Sequence, residues 1–223
     1  MKLTEGRIKR LYDLGHTAAG QYLEGFDYPW QALGGIKALI LKLGAELPAE
    51  EYDHPSEDVW IHKTAVVYPS AMIKGPAIIG EETEVRHCAF IRGSALIGKN
   101  CVVGNSTEIK NAILFDQVQV PHYNYVGDSI LGFKSHMGAG AITSNVKSDK
   151  SNVVMRFDDE EIDTGRYKTG AFLGDFVEVG CNSVLNPGTL IGRHTNIYPL
   201  SSVRGSVGSM SIYKKQGEVA LKK

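Results

Sequence analysis

The sequence lacks a long apolar run, carries little cysteine and has no surplus of charge of either sign. Its 223 residues contain 24 lysines and arginines against 25 aspartates and glutamates, for a formal net charge of −1. Proteins that wrap nucleic acid or dock electrostatically on membranes need a basic surplus, so the composition argues against both partners. No stretch approaches the length of a transmembrane helix, and the N-terminus lacks the apolar core of a signal peptide.

Cysteine and histidine are too scattered to indicate a metal site. The three cysteines, Cys88, Cys101 and Cys181, are odd in number and lack metal-ligand spacing, and the seven histidines show no zinc-like spacing. We therefore predict that no metal is bound. The cysteine content fits a reduced, cytoplasmic setting.

What the sequence does contain is a period of six residues. An aliphatic residue occupies nine consecutive slots spaced six apart, and the slot two residues earlier is usually small. The phase slips by one residue before Leu114 and again before Leu131, breaks after Met137 and later resumes. The two unbroken runs are Ile61, Val67, Ile73, Ile79, Val85, Ile91, Ile97, Val103 and Ile109, and then Leu173, Val179, Leu185, Ile191, Ile197 and Val203.

This period predicts a parallel β-helix. An α-helix repeats near 3.6 residues and a sandwich strand near 2, so neither sustains a period of six. Short strands joined by tight turns, three to a coil of about eighteen residues, place every sixth side chain on an inward line, with coils stacked about 4.8 Å apart. We predict an all-β fold, a left-handed parallel β-helix of hexapeptide repeats with a short N-terminal helical segment. The left hand follows from resemblance to hexapeptide-repeat proteins.

Two parts of the chain do not follow the repeat. Residues 1–50 predict an N-terminal unit with amphipathic helices over Leu3–Leu14 and Trp30–Leu43 and a linker, whereas residues 51–223 predict the β-helical domain. The polar segment 144–170 interrupts the repeat, so we expect a loop or hairpin that projects from the solenoid. Long insertions of this kind commonly serve a site or a subunit contact.

Several polar residues near the interruption are not needed by the scaffold. Arg92 and Lys110 lie one coil apart and should stack on one face, and stacked cations without interleaved acids suit an anionic ligand such as a phosphate. Taken singly, each is more often a solvated surface charge, and His122, which lies in a turn, is more often a surface histidine. The other candidates are Tyr125, His136, Asn145 and Lys168.

Together, the motifs around these residues resemble one enzyme family. GNSTEIKNAILFDQVQVPHYNYVGDSILG, followed by GAGAIT, is similar to the catalytic-histidine region of bacterial bifunctional UDP-N-acetylglucosamine pyrophosphorylase/glucosamine-1-phosphate N-acetyltransferases. DTGRYKTGAFLGD resembles the archaeal sugar-phosphate nucleotidylyltransferase/acetyltransferases more closely, and GFDYPWQAL resembles the linker between their two domains. Nothing resembles the Gly-rich nucleotide loop of the pyrophosphorylase domain, so we do not expect uridylyl transfer from this chain.

The resemblance implies a role for each candidate. His122 falls at the general base of amine acetylation, and Ala139 and Cys181 fall beside the acetyl-CoA thioester. His136 stands where the bacterial enzymes have a sugar-contacting asparagine, and Val146 replaces a tyrosine, so both departures bear on the identity of the sugar. The residues implied to contact the sugar phosphate are Arg92, Lys110, Tyr125, His136, Asn145 and Lys168.

We therefore expect an acetyl-CoA-dependent N-acetyltransferase that acts on an amino-sugar 1-phosphate, such as glucosamine 1-phosphate, and assembles as a homotrimer. A separate nucleotidyltransferase subunit is a further candidate partner. Two alternatives stay open. One is an acetyltransferase for another amino sugar. The other is a non-catalytic scaffold or regulatory β-helix that derives from a pyrophosphorylase/acetyltransferase, because a fold does not by itself determine a function.

Overall fold

The computed structural model describes residues 1–215 and 217–222, and most of them form a solenoid with three flat faces, here named A, B and C. Two longer strands, Glu108–Leu114 and Tyr125–Leu131, run from face B around a corner to face A. Face A also contains Val59–His62, Ala77–Ile79, Ala95–Ile97, Ala171–Leu173, Thr189–Ile191 and Ser206–Val207, with Tyr52–Ser56 antiparallel at its edge. Face B also contains Met72–Ile73, Phe90–Ile91, Ile142–Thr143, Val184–Leu185 and Ser202–Val203.

Face C completes the triangle. It ends in an antiparallel hairpin, in which Ser211–Lys215 pairs with Glu218–Leu221. Its other strands are Val66–Val67, Glu84–Val85, Val102–Asn105, Gln119–His122, His136–Met137, Glu178–Val179 and Asn196–Ile197.

The hexapeptide residues form the core, as the period predicted. Ile79 pairs with Ile97, Ile97 with Leu114, and Leu114 with Leu131, all in parallel register. The inward side chains from Ile79 onward are buried, so each coil covers the apolar line of the next. The predicted parallel β-helix of hexapeptide repeats is therefore confirmed, and its left hand stays a prediction.

Face A differs from the other faces because its outward side chains are also apolar and buried. The N-terminal residues cover them: the helix Ile36–Glu46 packs against three strands of this face, and the Trp30 ring lies 6.3 Å from the ring of Phe172. Covering both sides of these strands explains their continuous apolar runs. The outward residues are Ile78, Leu96, Ile113, Ile130, Phe172 and Leu190.

The N-terminal helices are shorter than the sequence predicted. The helix expected over Leu3–Leu14 is wrong as one element, because the backbone is extended at Arg7 and again at Tyr12. The helix expected over Trp30–Leu43 is split near Gly34, where glycine lowers helix propensity. The helical elements observed are the 3₁₀ turns Leu3–Gly6 and Leu14–His16 and the α-helices Ile8–Leu11, Gly20–Leu23, Pro29–Ala32 and Ile36–Glu46. Across the described residues, 1–215 and 217–222, no helix is long and apolar enough to cross a bilayer.

The insertion 144–170 contains an antiparallel hairpin, Val154–Arg156 with Glu161–Asp163. The hairpin does not stand free of the chain. Its Phe157 ring lies 6.1 Å from the Trp30 ring, and Asp158 accepts a hydrogen bond of 2.7 Å from the Met1 amine. The insertion therefore folds back over the N-terminal segment of its own chain.

Candidate active site

A cleft of about 500 Å³ opens at the corner between faces B and A. Successive coils supply its floor, because the Arg92 N–H donates to the Ile109 carbonyl and Lys110 pairs in register with Gly127. Arg92 and Lys110 therefore stack on one wall, as their one-coil spacing predicted. The end of the insertion forms the opposite wall. The lining residues are Arg92, Gly93, Ser94, Lys110, Asn111, Asp128, Gly165, Arg166, Tyr167 and Lys168.

The two phase slips of the repeat create a polar network at this cleft, with the buried carboxylate of Asp128 at its centre. Asn111 and Asp128 turn the two shortened corners, each with a φ of +49°. The Asp128 side chain is 3 % exposed and accepts hydrogen bonds from Asn111 Nδ2 at 2.7 Å and Asn145 Nδ2 at 2.6 Å. One carboxylate thus ties three coils together, which holds the cleft rigid.

The cations of the cleft are accompanied by acids, contrary to the expectation of an acid-free wall. Arg92 Nη1 donates to Glu108 Oε1 at 2.6 Å, and Lys110 Nζ lies 3.6 Å from Asp128 Oδ2. Both carboxylates come from the coil that follows the cation. Spacing along the chain identified the stacked cations but did not show these pairings.

Tyr125 and Asn145 join the network at the edge of the cleft. Asn145 Nδ2 donates to Tyr125 Oη at 3.2 Å, which leaves the tyrosine proton available for an external acceptor. Burial raises the pKa of the Tyr125 hydroxyl, and the hydrogen bond from Asn145 opposes that rise. Tyr125 is therefore a neutral hydrogen-bond donor near pH 7.

Lys168 lies where the insertion rejoins the solenoid. Its backbone forms an antiparallel bridge with Val146, and the Thr169 N–H donates to the Asn145 carbonyl at 3.0 Å, so the two ends of the insertion are held together. Lys168 Nζ lies 5.3 Å from the ring centroid of Tyr167. This closure places Lys168 opposite Arg92 and Lys110 across the cleft.

His122, Ala139 and Cys181 lie together along a different corner, between faces C and B. Each is followed by a residue in the left-handed conformation. The Gly140 N–H donates to the His122 carbonyl at 3.0 Å, and the Asn182 N–H donates to the Ala139 carbonyl at 2.8 Å. The three residues therefore stack in successive coils, and the His122 and Cys181 side chains are exposed.

His136 is not part of the cleft in this chain. It lies on face C, where its Nδ1 is 2.8 Å from Glu178 Oε2, in a shallow depression with Gln119 and Ser135. The structure thus places the sequence-predicted residues in three groups. Arg92, Lys110 and Lys168 line the cleft, with Tyr125 and Asn145 beside it. His122 adjoins Ala139 and Cys181 one corner away, and His136 lies apart from both groups.

Comparison with known proteins assigns the chain to a family. The model of the family described as GMPPB C-terminal domain matches residues 73–191, which contain most of the solenoid and the whole cleft. The chain belongs to this family. The matched range spans the insertion 144–170.

Full-length relatives are longer than this chain. It is 36% identical over 166 residues to a bifunctional sugar-1-phosphate nucleotidylyltransferase/acetyltransferase of Sulfurisphaera tokodaii, covering 66% of this chain and 41% of the relative. It is 30% identical over 229 residues to the bifunctional protein GlmU of Methanococcus maripaludis, covering 100% of this chain and 55% of the relative. The chain therefore spans about half the length of these relatives.

Among solved structures, the GDP-perosamine N-acetyl transferase of Caulobacter crescentus, determined with CoA and GDP-perosamine, is similar to the chain. It shares 19% sequence identity, with a TM-score of 0.33. The match covers 85% of this chain and 66% of the other.

Sequence reasoning missed four residues that this site uses, Glu108, Asn111, Asp128 and Arg166. Glu108 and Asp128 pair with the predicted cations and Asn111 donates to Asp128, and of these three only Asp128 is almost fully buried. A signal for two of them was present, because Asn111 and Asp128 each lie inside a five-residue step of an otherwise six-residue repeat. Irregularities that place polar residues at matching positions of a repeat therefore indicate candidate site residues.

Proposed function

We propose that the chain catalyses transfer of an acetyl group from acetyl-CoA to the amine of an amino-sugar 1-phosphate. The observation that carries the proposal is the arrangement of two neighbouring corners of the solenoid. One holds a cationic cleft, and the other presents an exposed histidine beside a turn with a free backbone donor. Membership of the GMPPB C-terminal domain family, and relatives whose names include acetyltransferase, support it.

The cleft would bind the acceptor through its phosphate. Arg92, Lys110 and Lys168 converge there from two walls, and arginine and lysine are the usual side chains for phosphate oxygens. Tyr125 and Asn145 lie beside these cations and would contact the sugar with neutral donors and acceptors. The acceptor amine would then extend from face B toward the neighbouring corner.

His122 would act as the general base at that corner. In its neutral form the imidazole accepts a proton from the acceptor's ammonium or attacking amine. The amine nitrogen bonds to the thioester carbonyl carbon, the carbon–sulfur bond breaks, and CoA leaves as a thiol after taking up a proton. The chemistry requires no metal ion.

The turn Gly138–Gly140 would stabilise the developing oxyanion. The Gly138 N–H donates to the Val179 carbonyl at 2.7 Å, and the Gly140 N–H is used by the His122 carbonyl. Among the described residues, the Ala139 N–H has no acceptor. A preorganised donor of this kind stabilises negative charge on a thioester oxygen. Cys181, the next residue along this corner, would lie against the acetyl-CoA chain.

We also propose that the protein assembles as a homotrimer. His136 and Glu178 lie on face C, away from the cleft of their own chain. In a ring of three prisms, face C of one chain can lie against the site of the next, so a heterologous contact would add His136 to the acceptor site. Light scattering at micromolar concentration measures this, and a stable monomer of about 24 kDa contradicts it.

A thiol-release assay with acetyl-CoA tests the reaction. The panel contains glucosamine 1-phosphate, galactosamine 1-phosphate, a nucleoside-diphosphate amino sugar and glucosamine itself. We expect turnover with at least one amino-sugar 1-phosphate and much less with unphosphorylated glucosamine. Faster turnover with the nucleotide-linked sugar would instead favour that acceptor class.

A non-catalytic scaffold is the second candidate, and one observation favours it. Arg92 and Lys110 are already paired with carboxylates of their own chain, so neither is held ready for an anion. Absence of thiol release across the whole panel, from a correctly assembled protein, would support the scaffold.

A further inference from the structure

Arg166 lines the same cleft but belongs to the insertion, and its backbone is held in place. The Val153 N–H donates to the Arg166 carbonyl at 2.8 Å, and the Arg166 N–H donates to Thr164 Oγ1 at 3.2 Å. Thr164 Oγ1 in turn donates to the Val153 carbonyl at 2.7 Å. Gly165, with a φ of +67°, makes the turn between them. The direction in which Arg166 leaves the backbone is thus determined by the hairpin.

The guanidinium of Arg166 has no partner among residues 1–215 and 217–222. It forms no ion pair and donates no side-chain hydrogen bond there, and its Nε is buried. A buried donor without an acceptor costs free energy, so native structures rarely leave one unmatched. An arginine carries five donors, which makes an external anion the natural acceptor.

Packing of the N-terminal segment brings the Arg166 guanidinium to the back of the cleft. A Cβ built on Gly34 lies 3.2 Å from Arg166 Nη1, so the absence of a side chain at this position makes room for the guanidinium. Burial raises the pKa of Tyr22, and the positive charge of Arg166 is among the effects that oppose the rise. Arg166 thus lies between the cleft and residues 22–34, shielded from water on one side.

Charge balance separates the four cations of the cleft into two pairs. Arg92 and Lys110 are matched by Glu108 and Asp128. Arg166 and Lys168 have no carboxylate partner in the described part of the chain, which leaves two positive charges at the wall formed by the insertion. A phosphate monoester carries about −1.5 to −2 charges at pH 7, so it matches this pair.

We propose that Arg166, together with Lys168, forms the primary phosphate-binding pair of the cleft, and that Arg92 and Lys110 contribute secondary contacts. The identity of the acceptor as an amino-sugar 1-phosphate rests on the proposed function. The anion site itself rests on the geometry of the cleft. The planar fork of Arg166 can bond two phosphate oxygens at once, whereas Lys168 supplies a point charge.

Titration calorimetry with glucosamine 1-phosphate and, separately, with inorganic phosphate tests the pair. Arg166→Met keeps the apolar stem of the side chain and removes the guanidinium with its charge, so we expect Kd for both ligands to rise about 10- to 100-fold. Arg166→Lys keeps the charge without the fork and should raise Kd by a smaller factor. The matched control is Arg10→Met, which removes an exposed arginine of the N-terminal segment that forms no ion pair in the described chain, and it should leave Kd unchanged.

Several outcomes overturn the proposal. Wild-type protein that binds neither ligand removes the anion site, and Arg166→Met with a wild-type Kd removes Arg166 from it. If Arg166→Met alters the oligomer in light scattering while the Kd is unchanged, the partner of Arg166 is a carboxylate of another subunit. If Arg166→Met does not fold, an unchanged Kd in Arg166→Lys decides against the fork. Loss of binding in Arg166→Met, with no thiol release from the wild type, retains the anion site and rejects the proposed reaction.

Discussion

The early coils and the central coils of this β-helix use polar residues in opposite ways. In the early coils, before Arg92, polar side chains pair on the surface. His87 Nδ1 lies 3.0 Å from Ser70 Oγ, and Arg86 Nε lies 2.8 Å from Glu84 Oε2. In the central coils, Asn111 and Asn145 donate to the buried carboxylate of Asp128. The early pairs cost little to lose, because water can replace them. The central network is harder to replace, since the Asp128 carboxylate at its centre is removed from water.

The two regions differ in the length of their coils. In a regular coil of eighteen residues, each residue lies next to its equivalent in the previous coil, as Cys88 lies next to Ser70. Where a coil is shortened to seventeen residues, a polar residue occupies the corner, as Asn111 and Asp128 do, and the two side chains bond to each other. Matched substitutions in the two regions should therefore differ in their effects on rate and stability.

Replacement of His122 is expected to have the largest effect on rate. His122→Ala should lower kcat about 10²–10⁴-fold, because a positioned base is lost, while the melting temperature stays unchanged for this exposed residue. His87→Ala is the matched control, because His87 occupies the same corner two coils earlier and should have no effect on kcat. Folded His122→Ala with near-normal turnover removes His122 from the mechanism.

Removal of Asp128 is expected to have the largest effect on stability. Asp128→Ala leaves Asn111, Asn145 and Lys110 without their acceptor, so we expect a loss of about 3–5 kcal/mol in the free energy of unfolding. Glu108→Ala breaks the more exposed pair with Arg92 and should cost less than about 1 kcal/mol. Urea unfolding measures both, and equal losses would show that burial does not distinguish the two carboxylates.

The contact between the hairpin and the N-terminal segment should have an intermediate effect. Phe157 is 9% exposed and packs near Trp30, so Phe157→Ala should lower the free energy of unfolding by about 2–3 kcal/mol. Phe90→Ala, on a half-exposed site of a regular face B strand, should lower it by about 1 kcal/mol or less. The comparison is made by urea unfolding, and a Phe157→Ala protein as stable as Phe90→Ala would mean that the hairpin is not docked.

The smallest expected effect is a difference in alkylation rate among the three cysteines. Burial raises the pKa of the Cys101 thiol to about 12, whereas Cys88 and Cys181 are exposed. Because only the thiolate reacts, Cys101 should remain unmodified from pH 7 to 9 and gain reactivity only as the pH approaches 12. Peptide mapping after alkylation measures each site. Acetyl-CoA should slow modification of Cys181 and not of Cys88, and equal protection of the two would place the coenzyme elsewhere.

The sequence predicted the solenoid better than the helices. The hexapeptide signal is direct, because each inward residue such as Ile97 contacts its equivalent one coil away and each coil repeats the same requirement. The N-terminal helices have no such repetition. Their bounds depend on packing against face A and on the glycines near Gly34, so an amphipathic pattern over Trp30–Leu43 overestimated a continuous helix.

For the candidate site, spacing along the chain predicted which residues stack in neighbouring coils. It did not predict contacts that depend on side-chain direction or on the path of the insertion. The stacking of Arg92 on Lys110 follows from one coil of separation. The pairing of these cations with Glu108 and Asp128 depends on side-chain direction at the corners, and the approach of Arg166 depends on how residues 144–170 return to the solenoid. Neither can be read from a period.

The parallel β-helix and its apolar core follow from the amino-acid sequence alone, because an aliphatic residue in every sixth position can be buried throughout only when short strands stack in coils. The sequence also contains a line of apolar residues on the outer side of face A, from Ile78 to Leu190. The N-terminal helices cover this line, which explains why these outward residues are apolar. Which cations of the cleft are paired with carboxylates, and which remain available, depends on how the coils and the insertion fold together. Charge pairing depends on distances of a few ångströms between side chains from different coils and from the insertion, and linear spacing does not encode those distances.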